Sequence, residues 1–176
     1  MSRKGFAAVG INEVLSQAGV PRGSFYHYFS SKDAFGEAMM KSYFVEYRAD
    51  MDRILSEPGL TAAERILRYF DSWREKQSAE NCQGQCLAVK LGAEVADLSE
   101  SMRCELKKGV DTIIDRLEHM IVDGLQDGSI RIRAGARATA EILYDVWLGA
   151  SIVAKINRDS QHLDTATLAT RQLLRL

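Results

Sequence analysis

The residue of this chain that best suits reactive chemistry is Cys86. It follows Gly84 and Gln85 and precedes a run whose apolar spacing predicts a short helix, so the thiol stands where a helix begins. The unpaired backbone N–H groups of a helix start stabilise a thiolate, and Lys90, one turn further on, adds a positive charge nearby. A thiolate in such a place reacts with electrophiles or oxidants and reaches sulfenic acid reversibly. The opposite interpretation, on the residues alone, is that Cys86 is a small buried apolar side chain, as most free cysteines are.

The other two cysteines are weaker candidates for chemistry. Cys82 lies four residues before Cys86 and can act as a resolving thiol if the stretch between them is a loop. Cys104 alternates with apolar neighbours on a long predicted helix, which favours a structural role. His119 and His162 are far from these cysteines in sequence, so we expect neither a metal site nor a cofactor. An odd number of cysteines, three, argues against a secreted disulfide framework and predicts a reducing, cytoplasmic location.

An enzyme would need a nucleophile, a base and an orienting acid at spacings that a fold can bring together. Cys86, His119 and Asp145 supply the residue types, but they are scattered and follow no motif spacing. We therefore predict that the chain is not an enzyme.

A second group of polar side chains is crowded into the segment 5–32. The pattern there predicts a short helix, a tight turn at 18–20 and a second short helix with Pro21 at its first position, where a missing N–H costs nothing. The second helix carries more hydrogen-bonding side chains than a core would need: Arg22, Ser24, Tyr26, His27 and Tyr28. Two helices joined by a Gly-containing turn form a helix-turn-helix, whose second helix can enter the major groove of DNA.

The side chains of this second helix have different expected roles toward DNA. The planar guanidinium of Arg22 can reach a guanine edge or a phosphate. Gly23 lets the backbone approach DNA closely, and Ser24 and Tyr26 can donate hydrogen bonds to phosphates. His27 is expected to be a surface hydrogen-bonding group rather than a titrating switch. Three aromatic residues are expected to pack the small domain together: Phe25, Tyr28 and Phe29.

The distribution of charge agrees with a DNA-binding end. Residues 1–32 carry four basic side chains and one acidic, a net charge of +3, whereas the remainder carries 19 basic and 23 acidic, a net charge of −4. A positively charged N-terminal segment followed by a slightly acidic remainder is typical of a protein that contacts phosphates through its N-terminal domain. The composition, 46% apolar and 27% charged over 176 residues, is that of a globular chain, with no run that predicts a membrane span or a signal peptide.

The remainder of the chain predicts helices throughout, so the fold class is all-α. The helices are expected at 31–56, 61–79, 86–96, 99–127, 134–157 and 163–175, with a loop at 81–85. The helix at 134–157 is apolar around most of its circumference and must be buried on more than one side. The last two helices can pair with those of a second copy or complete a monomer core, and composition does not decide between these.

A small-molecule pocket is another way in which such a helical domain can sense its surroundings. The side chains that can line one between helices are Tyr69, Trp73, Met102, Tyr144 and Trp147. The same residues also describe a plain helical core.

Three segments give the chain a more specific resemblance: GSFYHYFSSKDAFGEAM, CLAVKLGAEVADLSESMR and LYDVWLGASIVAKINR. They resemble TetR-family transcriptional regulators, and more narrowly the branch containing the N-ethylmaleimide-reductase repressor. The resemblance implies a helix-turn-helix DNA-binding domain at 1–35 and a helical regulatory and dimerisation domain at 36–176. The family has a helix before the Gly5-Phe6 pair, for which Met1 to Lys4 are too few, so we expect that helix to be missing.

The same resemblance implies roles for individual residues. Tyr26 and Lys32 match phosphate-clamping positions, Cys86 falls at the sensing cysteine of the related repressors, and Lys155 is the candidate amine partner of that cysteine. A homodimer on a palindromic double-stranded operator is implied as well.

The predicted function is a transcriptional repressor that leaves its operator when an electrophile or oxidant modifies Cys86. Two alternatives stay open. One is a repressor of the same type that is induced by non-covalent binding of a small molecule, and the other is a helical dimeric interaction protein that does not bind DNA.

Overall fold

A computed structural model of the protein describes residues 5–82 and 86–176, and within them the chain forms eight α-helices and no strand. The helices are α1 (Ile11–Ala18), α2 (Arg22–Tyr28), α3 (Lys32–Leu55), α4 (Ala62–Cys82), α5 (Leu87–Leu98), α6 (Glu100–Gln126), α7 (Ala136–Asn157) and α8 (Gln161–Leu174). The all-α prediction is confirmed. Residues 1–4, on which the expectation of a missing first helix rests, lie outside the described residues.

Local capping explains where several helices begin. Ser31 accepts a hydrogen bond from the Ala34 N–H at 3.0 Å, which caps α3. Before α4, the Glu64 carboxylate accepts from the Thr61 N–H at 2.8 Å while Thr61 Oγ1 accepts from the Glu64 N–H at 3.3 Å. This reciprocal pair is the capping box that the spacing of Thr61 and Glu64 predicts.

Two predicted boundaries are wrong. The helix α4 continues to Cys82 instead of ending near position 79, because its last turns bury Gln77 and Cys82 in the core. Asn81 therefore belongs to the helix rather than to the predicted loop, and positions 83–85 of that loop lie outside the described residues. Pro21 stands at the N-cap of α2, one residue before the predicted position.

Most of the buried apolar side chains form one large core among α3, α4, α6, α7 and α8, which we call the aromatic core. Trp147 is fully buried and stacks on Phe70 with ring centroids 4.8 Å apart and planes 12° apart. Its indole N–H donates to Thr170 Oγ1 at 2.9 Å, and the Trp73 indole N–H donates to Ser151 Oγ at the same distance. Both buried indoles are thus held by a polar contact as well as by packing.

A second, smaller group of buried side chains lies where the start of the chain meets α3, α5 and α6. This junction cluster consists of Phe6, Met40, Leu91, Val95 and Met102. It connects the segment before α1 to the rest of the molecule. No helix in the described part of the chain is long and apolar enough to cross a membrane.

Candidate DNA-recognition helix and reactive-cysteine site

The helix-turn-helix forms as predicted, with Gly19 ending α1. Gly19 takes a left-handed φ of 64°, and the backbone N–H groups of the turn bond back to Leu15 and Ser16. Phe25 holds α2 against the domain, because it is buried and its ring lies 5.3 Å from that of Phe29 and 5.6 Å from that of Phe35.

The predicted DNA contacts on α2 are all exposed. They are Arg22, Gly23, Ser24, Tyr26 and His27. The Arg22 guanidinium lies 5.7 Å from the centre of the Tyr26 ring, a cation–π contact that holds both side chains at the surface. Beyond its own helix and chain neighbours, no atom of the described residues would lie within 4 Å of a Cβ at Gly23, so this face is open to a close partner.

Tyr28 does not pack the small domain, and that prediction is wrong. Its side chain is 76% exposed, and the His27 ring lies edge-on to it with ring centroids 5.0 Å apart. The inward side of α2 is occupied by Phe25, whose ring packs with those of Phe29 and Phe35, and Tyr28 lies outside this group.

Lys32 is half-buried at the first position of α3, and its ammonium binds backbone carbonyls of the same chain. Its ammonium donates to the carbonyls of Phe6 at 2.6 Å and Ala7 at 3.2 Å, and it lies 4.6 Å from the centre of the Phe6 ring. An ammonium has three donors, and contacts among the described residues use two of them. Its role as a phosphate clamp stays a prediction.

Cys86 is the N-cap residue of α5, as the sequence predicts for a residue where a helix begins. It has an extended backbone, its carbonyl accepts the Lys90 N–H at 3.1 Å, and its side chain is half-buried. The thiol makes no capping hydrogen bond to α5, which is described along its whole length.

A cavity of about 400 Å³ lies between α3 and α4, and Cys86 is on its wall. The other described lining residues are Tyr43, Glu46, Tyr47, Asp50, Met51, Ile54, Tyr69, Ser72, Trp73, Lys76, Gln77 and Ala79. The cavity has the size and the aromatic character of sites that take small organic molecules.

Tyr43 lines the cavity together with Cys86 and also contacts the start of α5. Its phenol oxygen accepts the Leu87 N–H at 3.4 Å, and a phenol that accepts one hydrogen bond can still donate its own O–H. Burial raises the pKa of Tyr43 well above its usual range, and the adjacent Cys86 raises it further. Behind it, the hydroxyls of Tyr47 and Tyr69 are 2.7 Å apart, and burial raises the pKa of both phenols. The cavity wall therefore includes three neutral phenols, and it also carries the charged side chains of Glu46, Asp50 and Lys76.

The two predicted partners of Cys86 differ in burial. Cys82 is buried as the last residue of α4, and Lys155 is exposed in the last turn of α7. In the described part of the chain no hydrogen bond or ion pair joins Lys155 to Cys86. Cys104 is half-buried on α6, and its thiol lies 3.5 Å from a Glu100 carboxylate oxygen. The roles of Cys82 and Lys155 stay predictions.

Four of the five predicted pocket residues meet around Trp73 in the aromatic core, but only two of the five are on the described wall of the cavity. Tyr69 and Trp73 line the cavity, whereas Met102 belongs to the junction cluster and Trp147 is enclosed in the aromatic core. Tyr144 packs edge-on against Trp73 rather than lining the described wall.

The sequence analysis missed the α3 side of the cavity. Tyr43, Tyr47, Asp50, Met51 and Ile54 recur at helical spacing along one side of α3. This spacing indicates that these side chains lie on one face of α3, which here lines the cavity.

Comparisons with known proteins agree on one family. Residues 1–39 match the model described as "Bacterial regulatory proteins, tetR family", and residues 62–170 match the model described as "Tetracyclin repressor-like, C-terminal domain". The chain is 35% identical over 172 residues to the HTH-type transcriptional repressor NemR of Escherichia coli, covering 98% of this chain and 86% of that protein. It is 28% identical to the HTH-type transcriptional repressor DhaR of a Mycobacterium species, covering 92% and 79%. The crystal structure of reduced E. coli NemR superposes with a TM-score of 0.93 at 36% identity, covering 98% of this chain and 89% of that one.

Proposed function

This chain belongs to the TetR family of transcriptional regulators, and from that premise we propose that it is a cytoplasmic, homodimeric repressor that releases its operator when Cys86 is modified. Members of the family are DNA-binding regulators that act as dimers and are not enzymes. The observation that carries the sensing half of the proposal is the place of Cys86, at the N-cap of α5 and on the wall of a cavity of about 400 Å³.

Support for operator binding comes from α2. It presents a guanidinium, three hydroxyls and an imidazole to solvent, while a single buried aromatic, Phe25, fixes its orientation. A recognition helix needs both features: its exposed groups contact bases or phosphates, and its buried side chain fixes the orientation of the helix on the domain.

Support for a dimer comes from α7 and α8. Ile152, Ile156 and Leu168 are 42%, 72% and 62% exposed on these two helices. Large apolar side chains in such number favour coverage by another molecule, and a second copy would supply it. A two-fold dimer would present two recognition helices to the half-sites of a palindromic operator.

The chemistry at Cys86 follows from its surroundings. For a maleimide, the thiolate sulfur attacks one alkene carbon and forms a C–S bond, while the alkene electron pair moves to the other carbon, which takes a proton from water. An adduct on this sulfur would take up space in the cavity, whose wall includes Tyr43, the acceptor of the Leu87 N–H. A group added there would push against the first turn of α5.

The same cavity favours a second candidate function, a repressor induced without covalent chemistry. Its wall offers several phenol hydroxyls and an indole, which suits a bound aromatic molecule. The two candidates differ in whether Cys86 is required.

The test uses a fluorescent fragment of the DNA upstream of the chain's own gene and follows its anisotropy. With N-ethylmaleimide or hypochlorite, the wild type should release the fragment, whereas Cys86→Ser should stay bound. Cys104→Ser is the matched control, since it removes another half-buried thiol and should behave like the wild type. Arg22→Ala defines the signal of weakened operator binding.

Two outcomes would contradict the sensing proposal. The first is a Cys86→Ser protein that releases the fragment as readily as the wild type. The second is a wild type that keeps the fragment after Cys86 is fully alkylated. Release of Cys86→Ser by a saturable, reversible aromatic ligand would instead support the non-covalent candidate.

A further inference from the structure

We infer that Glu94 is a positioning residue for DNA binding, because its carboxylate ties α5 to the N-terminal segment that carries the helix-turn-helix. The inference extends the proposed function, since α5 is the helix that begins at Cys86. It names the contact through which an event at the cysteine reaches the DNA-binding end.

The tie itself is a two-pronged hydrogen bond. One carboxylate oxygen of Glu94 accepts the Phe6 N–H at 3.1 Å and the other accepts the Ala7 N–H at 2.7 Å. Hydrogen bonds to an ionised acceptor are stronger than neutral ones, and two in parallel also fix direction. Within the described chain, this pair joins backbone and side chain across 88 and 87 residues.

Gly5 is shaped to admit that carboxylate. It has a left-handed φ of 81°, and a Cβ built on it would lie 2.8 Å from one Glu94 oxygen and 3.1 Å from the other. A side chain at this position would displace the carboxylate and strain the backbone.

The opposite side of the same two residues is held by Lys32. Its ammonium donates to the Phe6 and Ala7 carbonyls at 2.6 and 3.2 Å, so the peptide group that joins Phe6 to Ala7 lies between a carboxylate and a cation. Charges placed in this way polarise the amides and strengthen both sets of bonds. Lys32 begins α3 and follows the recognition helix by four residues, so the arrangement reaches the DNA-binding face.

Apolar packing accompanies the polar tie. Phe6 is buried in the junction cluster against Leu91 and Val95, which flank Glu94 on α5. Glu94 lies eight residues, about 12 Å, along α5 from Cys86. Because a helix of this length moves as a rod, a group that displaces its first turn also displaces Glu94.

The protein then has two states, which differ in the position of α5. With α5 in place, Glu94 and Lys32 bind the Phe6-Ala7 segment, and the recognition helix has the orientation that operator binding needs. When an adduct at Cys86 shifts α5, the Glu94 carboxylate leaves the two N–H groups and the recognition helix loses that orientation.

The experiment compares Glu94→Gln with Asp97→Asn, which removes an exposed carboxylate one turn further along the same helix. Operator affinity is measured for each protein before and after complete alkylation with N-ethylmaleimide. We expect Glu94→Gln to bind operator about tenfold more weakly than the wild type before alkylation, and Asp97→Asn to match the wild type. We also expect alkylation to change the affinity of Glu94→Gln by a smaller factor, since its tie is already weakened.

Gly5→Ala keeps Glu94 and both N–H groups but displaces the carboxylate, so it should reproduce the loss of affinity. Thermal unfolding of all variants separates this effect from loss of fold. The inference is overturned if Glu94→Gln binds unmodified operator like the wild type. It is equally overturned if alkylation weakens binding by the same factor in both proteins, which would leave Glu94 a purely structural role. A wild type that keeps operator after alkylation would contradict the Cys86 proposal alone, because the affinity of the unmodified proteins still tests Glu94.

Discussion

The aromatic core and the junction cluster bury apolar side chains by different means. In the aromatic core, Trp147 stacks on Phe70, and the indoles of Trp147 and Trp73 each donate to a buried hydroxyl. In the junction cluster a single ring, Phe6, meets methionine and aliphatic side chains. Glu94 and Lys32 bind the backbone beside it, and the Lys32 ammonium also lies over the Phe6 ring. Stacked and hydrogen-bonded rings have one good arrangement, whereas methionine adapts to several.

Stability and signalling are therefore assigned to different parts of the molecule. The aromatic core binds α4, α7 and α8 into a fixed body, while α5 has its two fully enclosed side chains, Leu91 and Val95, in the junction cluster. A helix that is held mainly by adaptable packing and one carboxylate can transmit a displacement from a modified cysteine to the DNA-binding domain.

The largest effect is expected for Trp147→Ala. The substitution opens a cavity where a fully buried ring stacks and leaves the Thr170 hydroxyl without its donor, so the free energy of unfolding should fall by about 3–5 kcal/mol. Urea denaturation at fixed protein concentration measures it, with Tyr28→Ala as the exposed aromatic control. A loss below that of Tyr28→Ala would show that this core is not the stable body.

An intermediate effect is expected for Gly36→Ala at the junction. A Cβ there would meet Met102 Sδ and lie 2.8 Å from the Phe6 ring, so overpacking should cost about 1–3 kcal/mol and weaken operator binding. Gly92→Ala is the matched control on α5, since its nearest neighbour, Leu106, is 4.0 Å away, and it should stabilise the protein by up to ~1 kcal/mol. Equal stability of the two variants would mean that the junction repacks freely.

The smallest effect concerns alkaline pH. Burial raises the pKa of Tyr69 above its ordinary value of 10, so the phenol ionises in the unfolded chain before it ionises in the folded one. Unfolding then releases a proton, and stability should fall as pH rises above about 10, by at most about 1.4 kcal/mol per pH unit for this group. The melting temperature of Tyr69→Phe should decline less steeply than that of the wild type between pH 9 and 11. Tyr28→Phe is the control, and a Tyr69→Phe profile parallel to it would contradict the assignment.

Local signals in the sequence predicted much of this molecule. The capping box at Thr61 and Glu64, the N-cap at Ser31 and the helix start at Cys86 depend on residues three or four apart, and the structure confirms them. The extra turn of α4 was missed because tertiary burial of Cys82, not propensity, extends that helix.

Contacts between distant segments were beyond sequence reasoning. The bond between Glu94 and the Phe6 N–H joins residues 88 apart, and neither residue has a local partner pattern that marks it. Tyr28 was expected to be buried from its residue type alone, whereas the orientation of a seven-residue helix depends on which one of its aromatic residues faces inward.

The central claim is that operator release follows modification of Cys86, and one titration tests it most directly. Wild-type protein bound to its upstream DNA is treated with increasing N-ethylmaleimide, and the released DNA and the alkylated fraction of each cysteine are measured in the same samples by anisotropy and peptide mass spectrometry. The account predicts that release rises with the alkylated fraction of Cys86 and is independent of that of Cys104. DNA that stays bound when Cys86 is fully alkylated, or leaves while Cys86 is still free, would contradict it.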